Sequence, residues 1–314
     1  MQQNKNIPKV SVLGDANVDM ILNLSNKNQL GDPQLFSGGS TANVASGLSR
    51  LNVPVSFFGS LGNDMYGKFV INDMQSDGID TSNVQLLDDY STAMVIGVVE
   101  ENSDRHFFIW PPENGAHNQF EINDDMIENL LDSEWLHVSG IGLRFQPLQE
   151  TMLEVMKNFR ENNKTVSFDL NLRTELWGLK KEFKEVVLKA ISYSSYIFGN
   201  LNEELLVLFE GGLSSLHNHF EDDQKIICRN GKQGAIGIAK SKQIFSQAFP
   251  VAPIDSVGAG DAFNTGFIFS ALVGETFESS LDKGNLHAAY KLLGHGARHL
   301  PNYEQLTKFS TQFK

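Results

Sequence analysis

Residues 148–171 read LQETMLEVMKNFRENNKTVSFDLN, and this stretch decides the fold class. Leu148, Met152, Val155, Met156 and Phe159 fall at i, i+4, i+7, i+8 and i+11, one apolar face of an amphipathic helix. The polar residues 160–164 follow, and then TVSFDLN, a short run rich in β-branched and aromatic residues that reads as a strand. Runs of the same kind recur along the chain as VSVLG from Val10, VSFFGSLG from Val55, WLHVSG from Trp135, YIFGN from Tyr196, KIICR from Lys225 and AIGIA from Ala235. Several are separated by helical patterns. Strands alternating with helices predict an α/β fold with a mostly parallel central sheet covered on both faces.

Two stretches break the alternation, near residues 16–37 and 92–112. In the second, AMVIGVVE (93–100) and RHFFIW (105–110) read as strands joined by the polar turn ENSD. Neither stretch has a neighbouring helix. They are expected to form a small discontinuous β lid on a main domain made of residues 1–15, 38–91 and 113–314. Repeats, low-complexity tracts and Pro-rich linkers are absent, which argues against a second independent domain.

Composition narrows the function classes. With 314 residues, 41% hydrophobic and 20% charged, the chain can bury a substantial core. Its 25 basic against 38 acidic residues give −13, which repels polyanions and argues against nucleic acid as a partner. The single cysteine, Cys228, cannot form an intrachain disulfide and reads as an inert buried thiol. No stretch is apolar for long enough to span a membrane, and MQQNKNIPK contains no apolar leader, so the expectation is a cytoplasmic protein.

The strongest chemical signal is DSVGAGDAF from Asp255 to Phe263, running into a helix whose apolar face includes Phe263, Phe267 and Ala271. Glycines leave the backbone bare, a helix N-terminus offers free N–H groups, and the Asp261 carboxylate sits in the first turn. These are the parts of a phosphoryl-transfer site, an anion hole with a base for the attacking hydroxyl. An ordinary helix start with a dipole-matched surface acid has the same local pattern. A second glycine pair, Gly38-Gly39 in SGGSTAN, precedes another helical run, where Asn43 can hydrogen-bond sugar hydroxyls; a plain loop-to-helix turn explains it equally. In GDANVD, Asp15, Asn17 and Asp19 share one face of an extended segment, a comb suited to a polyol or simply a solvated strand end. Residues 62–69, GNDMYGKF, imitate a P-loop but put Phe69 where a hydroxyl ligand for magnesium is required, and no clustered Cys/His zinc pattern occurs.

Residues 38–67, GGSTANVASGLSRLNVPVSFFGSLGNDMYG, and 255–266, DSVGAGDAFNTG, resemble the first and second signatures of the PfkB carbohydrate kinases, in the right order and at the right separation. The resemblance implies the ribokinase-like three-layer α/β/α fold with its β lid, and an ATP-dependent sugar kinase. It makes Asp261 the catalytic base and the amides of Gly258, Ala259 and Gly260 the anion hole. Asp255 matches a position that many members associate with a monovalent cation, usually potassium. Asp15, Asn17, Asp19, Gly38, Gly39 and Asn43 correspond to the sugar side, beneath the lid. Asn200 and Glu203 match the N-x-x-E motif that orders magnesium and phosphate through water, although a helix cap with its capping partner has the same spacing. Gly231 and Gly234 resemble the glycine turn beside the ATP phosphates, with Arg229 and Asn230 where other members carry Thr or Lys. Asn285 resembles a position near the adenine.

DLNLR, Asp169 to Arg173, with Trp177 following, is similar to the D-x-N-x-R run of fructokinase-like and 2-keto-3-deoxygluconate kinase members. Arg173 can contact phosphate or substrate, or serve as an ion pair holding a loop. The expected substrate is fructose or a related ketose or furanoside. Ribose, 2-keto-3-deoxygluconate and nucleosides are the alternatives within the class, and a non-catalytic sugar or nucleotide sensor is the rival outside it. A homodimer through the lid is also expected.

Overall fold

The computed structural model describes residues 7–23, 31–99, 105–111 and 113–313. Its first strands in chain order are β1 (Val10–Leu13), β2 (Asn17–Asn23), β3 (Gln34–Gly38), β4 (Val55–Gly62), β5 (Asp80–Leu87), β6 (Met94–Val99) and β7 (Arg105–Trp110). There follow β8 (Trp135–Ser139), β9 (Thr165–Asp169), β10 (Tyr196–Asn200), β11 (Lys225–Arg229), β12 (Ala235–Ala239) and β13 (Lys242–Ser246).

Nine of these strands make one sheet in the order β13-β12-β11-β10-β9-β8-β1-β4-β5. Pairing is parallel from β11 through to β5; the β11–β12 and β12–β13 pairs are antiparallel, so β12 alone runs against the other eight strands. Because successive side chains point to opposite faces, Val10 and Val12 pack into one core while Leu13 enters the other. In β8 the same alternation sends Leu136 and Val138 to the side of Leu13 and Trp135 to the side of Val10. The predicted helix Leu148–Glu161 buries Leu148, Met152, Val155, Met156 and Phe159 against the first of these faces. The helices Ser40–Arg50 and Ala259–Leu272 cover the other. The layering is therefore α/β/α.

Strands β5 and β13 have no counterpart in the sequence reading. Both are sheet edges, and in each only one residue is buried, Asn83 and Ser246 respectively, so neither carries an apolar signature.

A second sheet, β3-β2-β6-β7, leaves the first immediately after β1 and returns at Gly38, directly ahead of the helix Ser40–Arg50. Within it β2 and β6 are parallel and the outer pairs antiparallel. The expected turn at 101–104 lies outside the described residues. Leu35, Phe108 and Trp110 of this sheet are exposed. Among the described residues no helix is long and apolar enough to cross a membrane.

Candidate active site

The site grows from the C-terminal edge of the parallel strands, where open α/β sheets bind ligands. Strand β1 ends at Leu13, and the Asp15 carboxylate that follows accepts from the Ser40 N–H at 2.7 Å and the Thr41 N–H at 3.3 Å. It thereby caps the Ser40–Arg50 helix from another element, since Gly39 has no side chain to do so. Gly39 has φ 102°, and a Cβ there would lie 2.5 Å from the Asp15 carbonyl oxygen. Asn17 donates to Asp19 at 2.8 Å, and the Asp19 carboxylate lies against Gly38, where a Cβ would approach within 2.6 Å. Burial pushes Asp19 up to about 6, against the Asn17 hydrogen bond and the positive charge of Arg298.

Opposite this comb stands the helix Ala259–Leu272. Gly258 precedes it with φ 77°, a left-handed turn after which the Ala259 N–H donates to the Ser256 carbonyl at 3.2 Å; a Cβ on Gly258 would also strike Ala297 at 2.7 Å. Asp261 occupies the first helical turn and is part-buried. Its carboxylate accepts from Ser40 Oγ at 2.9 Å and from Asn43 Nδ2 at 2.8 Å. Burial raises its pKa to about 7, helped by the negative charges of Asp169 and Asp15 and opposed by the bonds from Asn43 and Ser40. The result is a carboxyl poised near neutrality at an electropositive helix tip, the condition a general base requires.

Arg229 does not face outward in the manner of a phosphate ligand. Both of its terminal nitrogens grip the Asp169 carboxylate, at 2.6 and 2.8 Å, and Nη1 also reaches Asn264 Oδ1 at 3.2 Å. Asn264 returns a bond to Asp169 at 2.7 Å. Burial works against the guanidinium charge, yet Asp169, Glu204 and Asp261 hold its pKa above the ordinary arginine value. Arg229 Nη1 abuts Gly260, where a Cβ would come within 2.9 Å. The Asp169 of the DLNLR run therefore braces the Asp261 helix through Arg229, while Asn171 donates to Ser139 Oγ at 3.2 Å. Arg173 itself is exposed, in a left-handed conformation with φ 47°, and among the described residues its guanidinium has no partner.

On the far side, Asn200 ends β10 and its side chain accepts from the N–H groups of Asn202 and Glu203 at 3.0 and 3.1 Å, as a cap. Glu203 is exposed, whereas the next residue, Glu204, is buried and takes the N–H groups of Asn200 and Leu172, both at 2.7 Å. Gly231 and Gly234 form the turn between β11 and β12, with φ 54° and 96°. Asn285 donates to the Ser246 carbonyl at 3.1 Å, and that same carbonyl lies 2.1 Å from where a Cβ on Gly234 would be. The glycine turn and Asn285 thus meet at the end of β13. At Asp255 the carboxylate accepts from Val257 and Gly296 N–H groups, and the carbonyl accepts from the buried Lys291 ammonium at 2.8 Å.

The sequence reading missed several of these groups. Ser40 was visible inside SGGSTAN as a hydroxyl at a helix start. Arg298 carried no local signal. Its Nε donates to Asn43 Oδ1 at 3.0 Å, Nη1 to Asp73 at 2.9 Å and Nη2 to Ser37 Oγ at 3.2 Å, tying the C-terminal segment to β3 and to the Asp261 partner.

Residues 7–303 match the profile of the pfkB family carbohydrate kinases. The chain belongs to this family. It is 31% identical over 269 residues to a fructokinase of Salmonella typhimurium, covering 83% of this chain and 84% of that one. It is 28% identical over 297 residues to a 5-dehydro-2-deoxygluconokinase of Mesomycoplasma hyopneumoniae, covering 90% and 87%. Among solved structures, a fructokinase double mutant of Vibrio cholerae O395 with fructose, ADP and potassium ion superposes with a TM-score of 0.82 at 26% identity, covering 96% of this chain and 98% of that one. As a PfkB carbohydrate kinase, the protein is a phosphotransferase that uses ATP and acts on a sugar hydroxyl.

Proposed function

We propose that this kinase transfers the γ-phosphate of ATP to a primary hydroxyl of fructose or a related ketose or furanoside. The observation that carries the chemistry is Asp261, held by Ser40 and Asn43 at the head of a glycine-led helix with its pKa near 7. Asp261 takes the hydroxyl proton as the oxygen attacks the γ-phosphorus, the bond to ADP breaks in line, and the amides of Gly258, Ala259 and Gly260 receive the charge on the transferred group. Asn17, Asp19, Gly38, Gly39 and Asn43 orient the sugar, while Asp15 sets the helix that presents Asn43. The β2, β3, β6 and β7 sheet acts as a lid that excludes water.

On the nucleotide side we assign Gly231, Gly234 and Asn285 to ATP, with Asn200 shaping the loop and Arg173 free to reach a phosphate. Among the described residues no group of three or more His, Cys, Asp or Glu could hold a metal. Magnesium bound with a nucleotide needs only one or two carboxylates beside phosphate and water, and the exposed Glu203 fits that demand. The metal would neutralise phosphate charge there. Potassium fits less well, because the Asp255 carbonyl already accepts from Lys291.

A neutral polyol is favoured over an acid sugar because Asp15, Asp19 and Asp261 all border the same comb, and the nearby Arg298 is paired with Asp73 and Asp77. The broad match to a 5-dehydro-2-deoxygluconokinase makes that substrate the second reading. ADP release measured with fructose, ribose, an aminoimidazole riboside and 5-dehydro-2-deoxygluconate separates them; a higher kcat/KM on any of the last three refutes the fructose assignment. A cytoplasmic location accords with the use of ATP, and exposed Leu35, Phe108 and Trp110 support a homodimer through the lid, testable by sedimentation.

A further inference from the structure

Lys291 closes the helix Phe277–Lys291 and has no exposed side-chain surface. Lysine is almost never wholly buried unless its ammonium is paired, because its charge and three donors must be taken from water. Here Nζ donates to the Asp255 carbonyl at 2.8 Å and to the Gly294 carbonyl at 3.3 Å, with Asp255 Oδ2 3.9 Å away. The Asp255 carboxylate also accepts from Val257 N–H at 3.1 Å and Gly296 N–H at 2.9 Å. The Ile254 N–H donates to the Leu292 carbonyl at 2.7 Å. Two loops, 254–258 and 292–297, are stitched together around one positive charge. The first delivers Gly258 to the head of the Asp261 helix, and the second supports it, since Ala297 fills the space where a Cβ on Gly258 would go.

Two carbonyl oxygens and a carboxylate converging on one point are the oxygen ligands an alkali cation takes in place of its hydration shell. An ammonium carries the same single charge and uses the same oxygens, but it is tethered to the chain and cannot dissociate. We propose that Lys291 is a built-in substitute for a free monovalent cation, so that the loop carrying Gly258–Gly260 is organised without potassium. Lys291 is a positioning residue, acting through Asp255 and the two loops. The catalytic consequence rests on the anion-hole role proposed above for Gly258–Gly260; the structural substitution does not.

The test compares the wild type with Lys291→Ala and Lys291→Met in potassium chloride and in choline chloride at equal ionic strength, by thermal melting and by ADP release with fructose. Wild-type Tm and rate should be the same in both salts. Lys291→Ala should melt lower and turn over at least about tenfold more slowly in choline, and potassium should restore both in a saturable way, as expected for a ligand that binds only the folded state. Lys291→Met, which retains the apolar stem and fills the space, should be impaired and respond less to potassium. A wild-type Tm or rate that climbs with potassium overturns the proposal, as does a folded Lys291→Ala indifferent to potassium in both measurements. If neither variant folds, potassium independence of the wild type upholds the proposal and potassium dependence sinks it. If the wild type phosphorylates no sugar, the melting series still decides the cation question, and the kinase assignment fails separately.

Discussion

Asn43 donates its side-chain amide to the Asp261 carboxylate at 2.8 Å across 218 residues of sequence, while its amide oxygen accepts from Arg298 Nε at 3.0 Å. Both ends of the amide are committed, so the group cannot flip without losing two bonds. The pair joins the first turn of the helix Ser40–Arg50 to the first turn of the helix Ala259–Leu272, each led by a glycine. The Asp15–Asn43 side of the cleft and the head of the Asp261 helix are therefore tied to each other.

Replacing the base tests the central assignment. Asp261→Asn should lower kcat by about 10²–10⁴-fold, the usual contribution of general base catalysis, with sugar and nucleotide binding retained. Near-normal turnover in a coupled ADP assay would remove Asp261 from the role.

The pH dependence follows from the same group. With a pKa near 7, Asp261 is the required anion only above that value, so kcat/KM should rise through about pH 7 and level off. In the unfolded chain the carboxyl titrates near 3.8, so the folded state binds its proton more tightly. Its contribution to stability is present in full below 3.8 and is lost as pH rises through about 7. Asp261→Asn should thus raise Tm at pH 8, by roughly 2–4 °C for each kcal/mol of relieved strain, and much less at pH 5. Calorimetry at both pH values checks the sign.

Removing the Asn43 amide should shift that profile. Because the bond from Asn43 lowers the Asp261 pKa, Asn43→Ala should move the rising limb of kcat/KM to higher pH, as well as weakening sugar binding. An unshifted limb in a folded variant would show that the two side chains are uncoupled in solution.

The brace beneath the helix is a stability element. Arg229→Met leaves the Asp169 carboxylate, 2% exposed, without its bidentate partner, and should cost about 3–5 kcal/mol by urea denaturation. Combining it with Asp169→Leu should recover a large part of that loss, since an apolar pair avoids the stranded charge. Additive losses in the double variant would argue against the pairing.

The layering was legible because its signals are local. The apolar face of Leu148–Phe159, the alternation in β1 and β8, and the glycine-led helix starts at Gly39 and Gly258 each lie within a dozen residues. The edge strands β5 and β13 were not legible, since an edge buries little and so leaves no apolar pattern. Tertiary structure alone decided what the polar side chains do. Arg229 meets Asp169 60 residues away, Arg298 meets Asn43 across 255, and Lys291 meets the Asp255 carbonyl across 36. Glu203 and Glu204 are neighbours of one residue type, yet one is exposed and the other buried under two backbone N–H groups. Sequence periodicity fixes which face of an element is apolar. The partner of a buried charge depends on which distant loops the finished core brings within 3 Å, and on the high cost of leaving that charge unpaired.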